Sequence, residues 1–196
     1  MVGLYFLSHT NLESGLGFSH QMRERYMFYM PLSQGGGITV LAICAFIGHR
    51  KIEKTEMLKN RLAQTVKNLI ENEGVDTFLF GSRSAFDDIC YDIVTRLKEV
   101  YTHIRRVYVR AEYECISQDY HDYLLTLYEE TYYADQARGA GYRSYIKRNQ
   151  AMIDKCDVLV VYCDMSYTPP TRTKSGTILA FQYAQKKQKR IINLFE

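Results

Sequence analysis

The run TVLAICAFI at residues 39–47, followed directly by Gly48-His49-Arg50, decides the fold. Nine uncharged residues, several of them β-branched or aromatic, describe a strand buried on both faces, as in a parallel sheet covered on both sides. Beyond the glycine stop, the spacing predicts an amphipathic helix over residues 53–73. Met57, Leu58, Leu62, Val66, Leu69 and Ile70 mark its apolar face, and Gly74 stands at its end. The same unit then recurs. A strand is predicted over residues 77–80, a helix over 85–100 and a strand over 104–109. A helix candidate at 118–129 leads into a tyrosine-rich connection. A helix over 142–155 comes next, with Tyr145, Ile146, Met152 and Ile153 turned inward, then a strand over 157–163. Ser175 opens a helix running to about residue 187, and residues 190–194 supply a last strand. Such alternation implies right-handed crossovers. The expected fold class is α/β, a Rossmann-like three-layer sandwich with a mainly parallel sheet of about five strands.

Residues 38–196 form this domain. Residues 1–37 stand apart as an N-terminal appendage that runs into Gly35-Gly36-Gly37. Arg23, Glu24 and Arg25 interrupt any apolar centre there, so the segment does not read as a secretory signal.

Composition narrows the function classes. Lys and Arg total 25 against 22 Asp and Glu, which leaves no strong basic field for DNA or RNA. The run Lys186-Lys187-Gln188-Lys189-Arg190 reads as a solvated helix end that complements the helix dipole. No apolar stretch is long enough for a transmembrane helix. The five cysteines show neither a disulfide framework nor metal-ligand spacing, so the chain is expected in the reducing cytoplasm, with no metal and no cofactor.

In open parallel sheets, ligands sit outside the carboxyl ends of the strands. Each glycine-containing strand end is therefore a candidate. Gly48-His49-Arg50 offers close backbone approach, a titratable ring and a guanidinium suited to phosphate. The turn through Gly81, Ser82, Arg83 and Ser84 enters a helix whose first turn holds Phe86 and Asp87. Free N–H groups there suit an anion, and Asp87 suits a ribose hydroxyl. Ser175-Gly176-Thr177, preceded by Arg172 and Lys174, is a second loop into a helix, although not a Walker A loop. Arg148 and Asn149 lie on the helix before the 157–163 strand. Pattern alone makes Arg148 an exposed helical arginine, but one aimed at the strand ends would meet a phosphate.

Taken in order, these elements resemble the SLOG superfamily, specifically its YpsA-like branch. The resemblance rests on Gly48-His49-Arg50, Gly81 with Phe86-Asp87, Arg148-Asn149 with Met152-Ile153-Asp154, Ser175-Gly176-Thr177 and the terminal Ile191-Ile192-Asn193-Leu194. It implies a Rossmann-like fold that binds nucleotides or nucleotide-derived ligands. The superfamily includes cytokinin-activating phosphoribohydrolases, nucleotide sensors and a DNA-binding processing protein. In the phosphoribohydrolases an arginine and a glutamate flank the scissile N-glycosidic bond. Arg148 takes the arginine's place, whereas Ala180 stands where the glutamate of the GGxGT-x-x-E pattern belongs. An alanine cannot stabilise an oxocarbenium-like centre. The expectation is therefore a nucleotide-binding sensor or regulator, with Phe86 or Tyr113 stacking on the base. An N-glycosidic hydrolase or transferase using Asp87 or Glu112 is the alternative. The tyrosine-rich segment and the resemblance together imply a homo-oligomer; neither a membrane nor a nucleic acid is expected as partner.

Overall fold

The computed structural model describes residues 42–81, 84–168 and 175–195, all within the unit Thr39–Glu196. The expected appendage at residues 1–37 lies outside the described residues. The strand that opens the domain, β1, is Ala42–Gly48, and α1 is Glu56–Glu73. They are followed by β2 (Val75–Phe80), α2 (Ala85–Lys98), β3 (Arg105–Arg110), α3 (Gln118–Leu127) and β4 (Glu130–Tyr133). The chain continues through α4 (Ser144–Lys155), β5 (Val158–Tyr162), α5 (Gly176–Lys186) and β6 (Arg190–Asn193).

The strands form one sheet in the order β4-β3-β2-β1-β5-β6, and every pair is parallel. The expected α/β sandwich is thus present, with a sixth strand beyond the five read from sequence. That strand, β4 (ETYY), lies in the tyrosine-rich connection. It is a half-buried edge strand of four residues, too short and too polar to stand out from a loop.

Side chains alternate across β1 and divide the core in two. Cys44 and Phe46 face α1, α2 and α3, packing with Leu62, Val66, Ile89 and Leu124. Ala45 and Ile47 face α4 and α5, packing with Met152, Ile153, Ile178 and Ala184. On the first face Phe46 lies 5.8 Å from Phe78 and 5.2 Å from Phe80, ring centre to ring centre. Helix starts obey local chemistry. Thr55, Ser84, Ser117 and Ser175 are extended N-cap residues, and each accepts an N–H from three residues on.

One contact fixes how α2 sits on β1. A Cβ placed on Gly48 would lie 2.4 Å from the ring and Cβ of Phe86, which is fully buried. The missing side chain at Gly48 is therefore filled by Phe86, which also packs 5.9 Å from Tyr162. Gly48→Ala is expected to lower the unfolding free energy by about 1–3 kcal/mol in urea titrations, through overpacking. In a Phe86→Ala background the same change should cost less. Equal costs in both backgrounds would show that the ring is not responsible.

Candidate functional site

The strand order reverses at β1. The chain leaves β1 toward one face of the sheet and leaves β5 toward the other, so a crevice opens above their adjoining carboxyl ends. Gly48 ends β1, Gly81 comes after β2, and Ser175-Gly176-Thr177 opens the helix after β5. These turns all lie at the carboxyl edge of the sheet. Ser82, Arg83, Arg172 and Lys174 lie outside the described residues.

His49 closes the crevice floor. Its ring is 6% exposed, and the Asp164 backbone N–H donates to Nε2 at 3.0 Å. An amide proton at that distance obliges Nε2 to act as acceptor, so the neutral ring carries its proton on Nδ1. Burial pushes its pKa down from 6.5, while contact with Asp164 opposes the shift. The ring also packs against Tyr167, 4.7 Å between centres. Asp164 in turn accepts from the Ser166 N–H at 2.8 Å and hydroxyl at 2.6 Å, which hold its carboxyl below the usual range. Thus His49 fastens the end of β1 to the end of β5. The end of β5 is braced from its other side by Asn193, whose amide exchanges two 3.0 Å hydrogen bonds with the Cys163 backbone. Arg50 alone of the Gly48-His49-Arg50 trio is exposed.

The two helix starts on this edge are not equivalent. At α2, the Ala85 N–H donates to the Arg50 carbonyl at 3.1 Å and the Asp87 N–H to the Ser84 hydroxyl oxygen at 3.0 Å. The Ser84 hydroxyl then donates to Asp87 Oδ2 at 2.6 Å, and Asp87 is buried. Most of the anion-binding capacity expected there is already used. Phe86 does not serve as a base-stacking ring, because it is enclosed beneath Gly48. At α5, Ser175 Oγ takes the Ile178 N–H at 3.0 Å, and the N–H groups of Gly176 and Thr177 have no partner among the described residues. None of those residues comes within 4 Å of the Cβ position of Gly176, so this helix start is open toward them. Of the two helix starts, it is the one whose first N–H groups are unpartnered among the described residues.

Arg148 corrects the expectation of an exposed helical arginine. It is the largest fully buried side chain among the described residues, 1% exposed. Gly81 explains how it fits. A Cβ at Gly81 would come within 2.7 Å of Arg148 Cδ and Nε and 2.6 Å of Met152 Sδ. The arginine therefore crosses the end of β2 where glycine leaves room. Its Nε donates to Asn149 Oδ1 at 3.0 Å and its Nη1 to the Val109 carbonyl at 3.4 Å. Tyr145, expected to face inward, is instead 42% exposed and lies over the guanidinium, 5.7 Å away. No carboxylate among the described residues comes within ion-pairing distance of Arg148. Burial pushes its pKa down; the charge of Asp87 is the leading opposing influence, ahead of Tyr108 and Glu112.

Two cavities flank this edge. One, of about 630 Å³, lies beyond the end of β3 and includes Arg110, Glu112, Tyr113 and Tyr145 in its walls. The other, of about 480 Å³, lies between α2 and α3 and carries Asp87, Asp88 and Asp92, which makes it repellent to phosphate. Sequence reasoning missed Arg110. Its signal was a basic residue closing a strand, the position at which ligands of such sheets are met. The basic run near the carboxyl terminus is tied down. Lys187 meets Asp154 at 3.2 Å, Lys189 donates to the Cys156 carbonyl at 2.7 Å, and Arg190 pairs with Glu73. No helix among the described residues is long and apolar enough to cross a membrane.

A family model described as the YspA SLOG family matches residues 42–195. The chain belongs to that family. No curated protein matches it.

The buried, neutral His49 gives the fold a pH dependence of defined sign. Below about pH 6.5 the unfolded chain takes up a proton that the folded ring resists, so stability is full above this pH and declines as pH falls further. Urea unfolding from pH 8 to 5 should show this decline. His49→Gln, which keeps an acceptor for the Asp164 N–H, should flatten it. An unaltered profile in the variant would assign the titration to another group.

Proposed function

We propose that this member of the YspA SLOG family binds a nucleotide or nucleotide-derived phosphate ligand at the carboxyl edge of its sheet and serves as a sensor or regulatory protein. One observation carries the reading: Arg148 is buried at that edge with two neutral acceptors and no ion pair among the described residues. An unpaired buried charge is costly, and such groups are kept where a ligand of opposite charge completes them. The start of α5 offers two N–H groups, unpartnered among the described residues, to the same class of anion, and Arg50 adds an exposed cation at the lip of the crevice. The sensing role rests on Ala180. It is a buried residue of the core between α5 and the sheet, where the phosphoribohydrolase pattern has its carboxylate. Five cysteines without a disulfide suit a reducing, cytoplasmic setting, and exposed Tyr142 and Tyr123 suit self-association.

The test is thermal-shift screening against mono-, di-, tri- and cyclic nucleotides and nucleotide sugars. A ligand at a hundred times its Kd should stabilise the wild type by about 2.7 kcal/mol. Arg148→Met should lose that shift. Its unfolding free energy without ligand should stay within about 1 kcal/mol of wild type or rise, because the buried charge is gone. A cooperatively folded variant that retains the shift would overturn the reading. Release of free base from the ligand would instead favour the hydrolase.

A further inference from the structure

The larger cavity adjoins Arg148 and has the chemistry of a base pocket. We infer that it takes the base of the bound nucleotide, an assignment that rests on the phosphate-binding reading above. Its volume, about 630 Å³, falls within the range of small-molecule sites. Tyr113, Tyr120, Tyr145 and Ile116 supply aromatic and apolar walls. Tyr113 is 69% exposed and Tyr145 is 42% exposed, so flat apolar rings stand open to water at a concave surface. Stacking a planar heterocycle there removes that surface from water without demanding a particular sequence of polar contacts.

Arg110 fixes the aromatic wall of the cavity. Its Nη1 donates to the carbonyls of Tyr113 at 2.9 Å and Glu114 at 3.3 Å, which fixes the loop carrying the tyrosine. Its Nε is buried and has no partner among the described residues. That Nε is covered by protein atoms, so Arg110 serves the cavity by holding Tyr113 in place and by adding positive charge to the wall. Glu112, on the same wall, accepts a 3.3 Å bond from the Ala111 N–H and can also take a ribose hydroxyl or exocyclic amine.

Position links this cavity to the phosphate site. Val109, whose carbonyl receives Arg148, immediately precedes Arg110 on β3. Tyr145 both lines the cavity and covers the Arg148 guanidinium. A base among the tyrosines therefore sets its phosphate toward Arg148. The smaller cavity also has tyrosines, but its three aspartates oppose a phosphate-bearing ligand.

Calorimetric titration with AMP, GMP, adenosine, guanosine and ribose 5-phosphate tests the assignment. Tyr113→Ala should weaken the tighter purine monophosphate at least fivefold, a loss of about 1 kcal/mol or more for one stacking ring. Its affinity for ribose 5-phosphate should stay within twofold of wild type, and Tyr113→Phe should restore the nucleotide. Arg110→Met should weaken the nucleotide in the same selective way. Unchanged nucleotide affinity in Tyr113→Ala, or equal weakening of both probes, overturns the base pocket while leaving phosphate binding in place. If the nucleoside binds wild type and Arg148→Met alike, with no gain from phosphate, the phosphate reading falls and the pocket stands. If no probe binds the wild type, both fall.

Discussion

A guanidinium withdrawn from water is the most demanding group in this structure, and the carboxyl edge of the sheet is shaped around it. Arg148 starts on α4, on one face of the sheet, and the charge that most favours it is that of Asp87 on α2, on the other. That reach requires a gap at the end of β2, and Gly81 is the gap. Asp87 must itself be held, and the Ser84 hydroxyl holds it. The bonds to Asn149 and Val109 recover part of the cost of desolvation. Hydrogen bonds to a charged group contribute about 1.5–3 kcal/mol each, against several kcal/mol for removing the ion from water. The deficit is the physical basis of the proposed anion binding at this edge.

The same edge separates two tasks that sequence patterns cannot separate. Gly48 and Gly81 look like ligand-approach glycines, yet their space is taken by Phe86 and Arg148. Of the three glycines on this edge, Gly176 is the one that no described residue crowds. Likewise the start of α2 is consumed by Arg50 and Ser84, whereas two N–H groups of α5 are unpartnered among the described residues. Packing has thus claimed the β1 and β2 ends, and the proposed ligand is matched to the ends of β3 and β5. With β2 and β1 between them, those ends stand about 14 Å apart at ordinary strand spacing. On the proposed reading, a mononucleotide seated beside β3 meets Arg148. A longer phosphate-bearing ligand running along the edge comes under α5.

Legibility in the sequence depends on which forces are local. The uncharged run of β1, the apolar faces of α1 and α2, and the serine or threonine before four helices are local signals, and these elements stand close to where they place them, although Met57, read onto the apolar face of α1, is exposed. The ETYY strand is hidden because pairing with β3, not its own pattern, makes it a strand. Arg148 is hidden for a related reason. Helical periodicity puts it near Tyr145 and Met152 but cannot tell that the polar residue enters while the tyrosine stays out. That inversion depends on a glycine 67 positions earlier in the chain. The sequence presents His49 as a donor or a titrating group, and only its meeting with the Asp164 N–H makes it a neutral acceptor.

The charge distribution also bears on the fate of a bound ligand. Cleavage of an N-glycosidic bond builds positive charge on the sugar, and enzymes meet it with a carboxylate close to the ring. Among the described residues at the edge, Arg148, Arg50 and the N–H groups that open α5 favour a negative ligand, and Glu112 on the wall of the larger cavity is the carboxylate that a hydrolase would have to use. Asp87 is already bonded to Ser84, and position 180 is packed among Ile178, Ala184 and the sheet, where a carboxylate would be buried beside apolar side chains. Groups arranged in this way lower the energy of the phosphate ester more than that of an oxocarbenium-like centre. That balance favours the proposed sensor over the hydrolase.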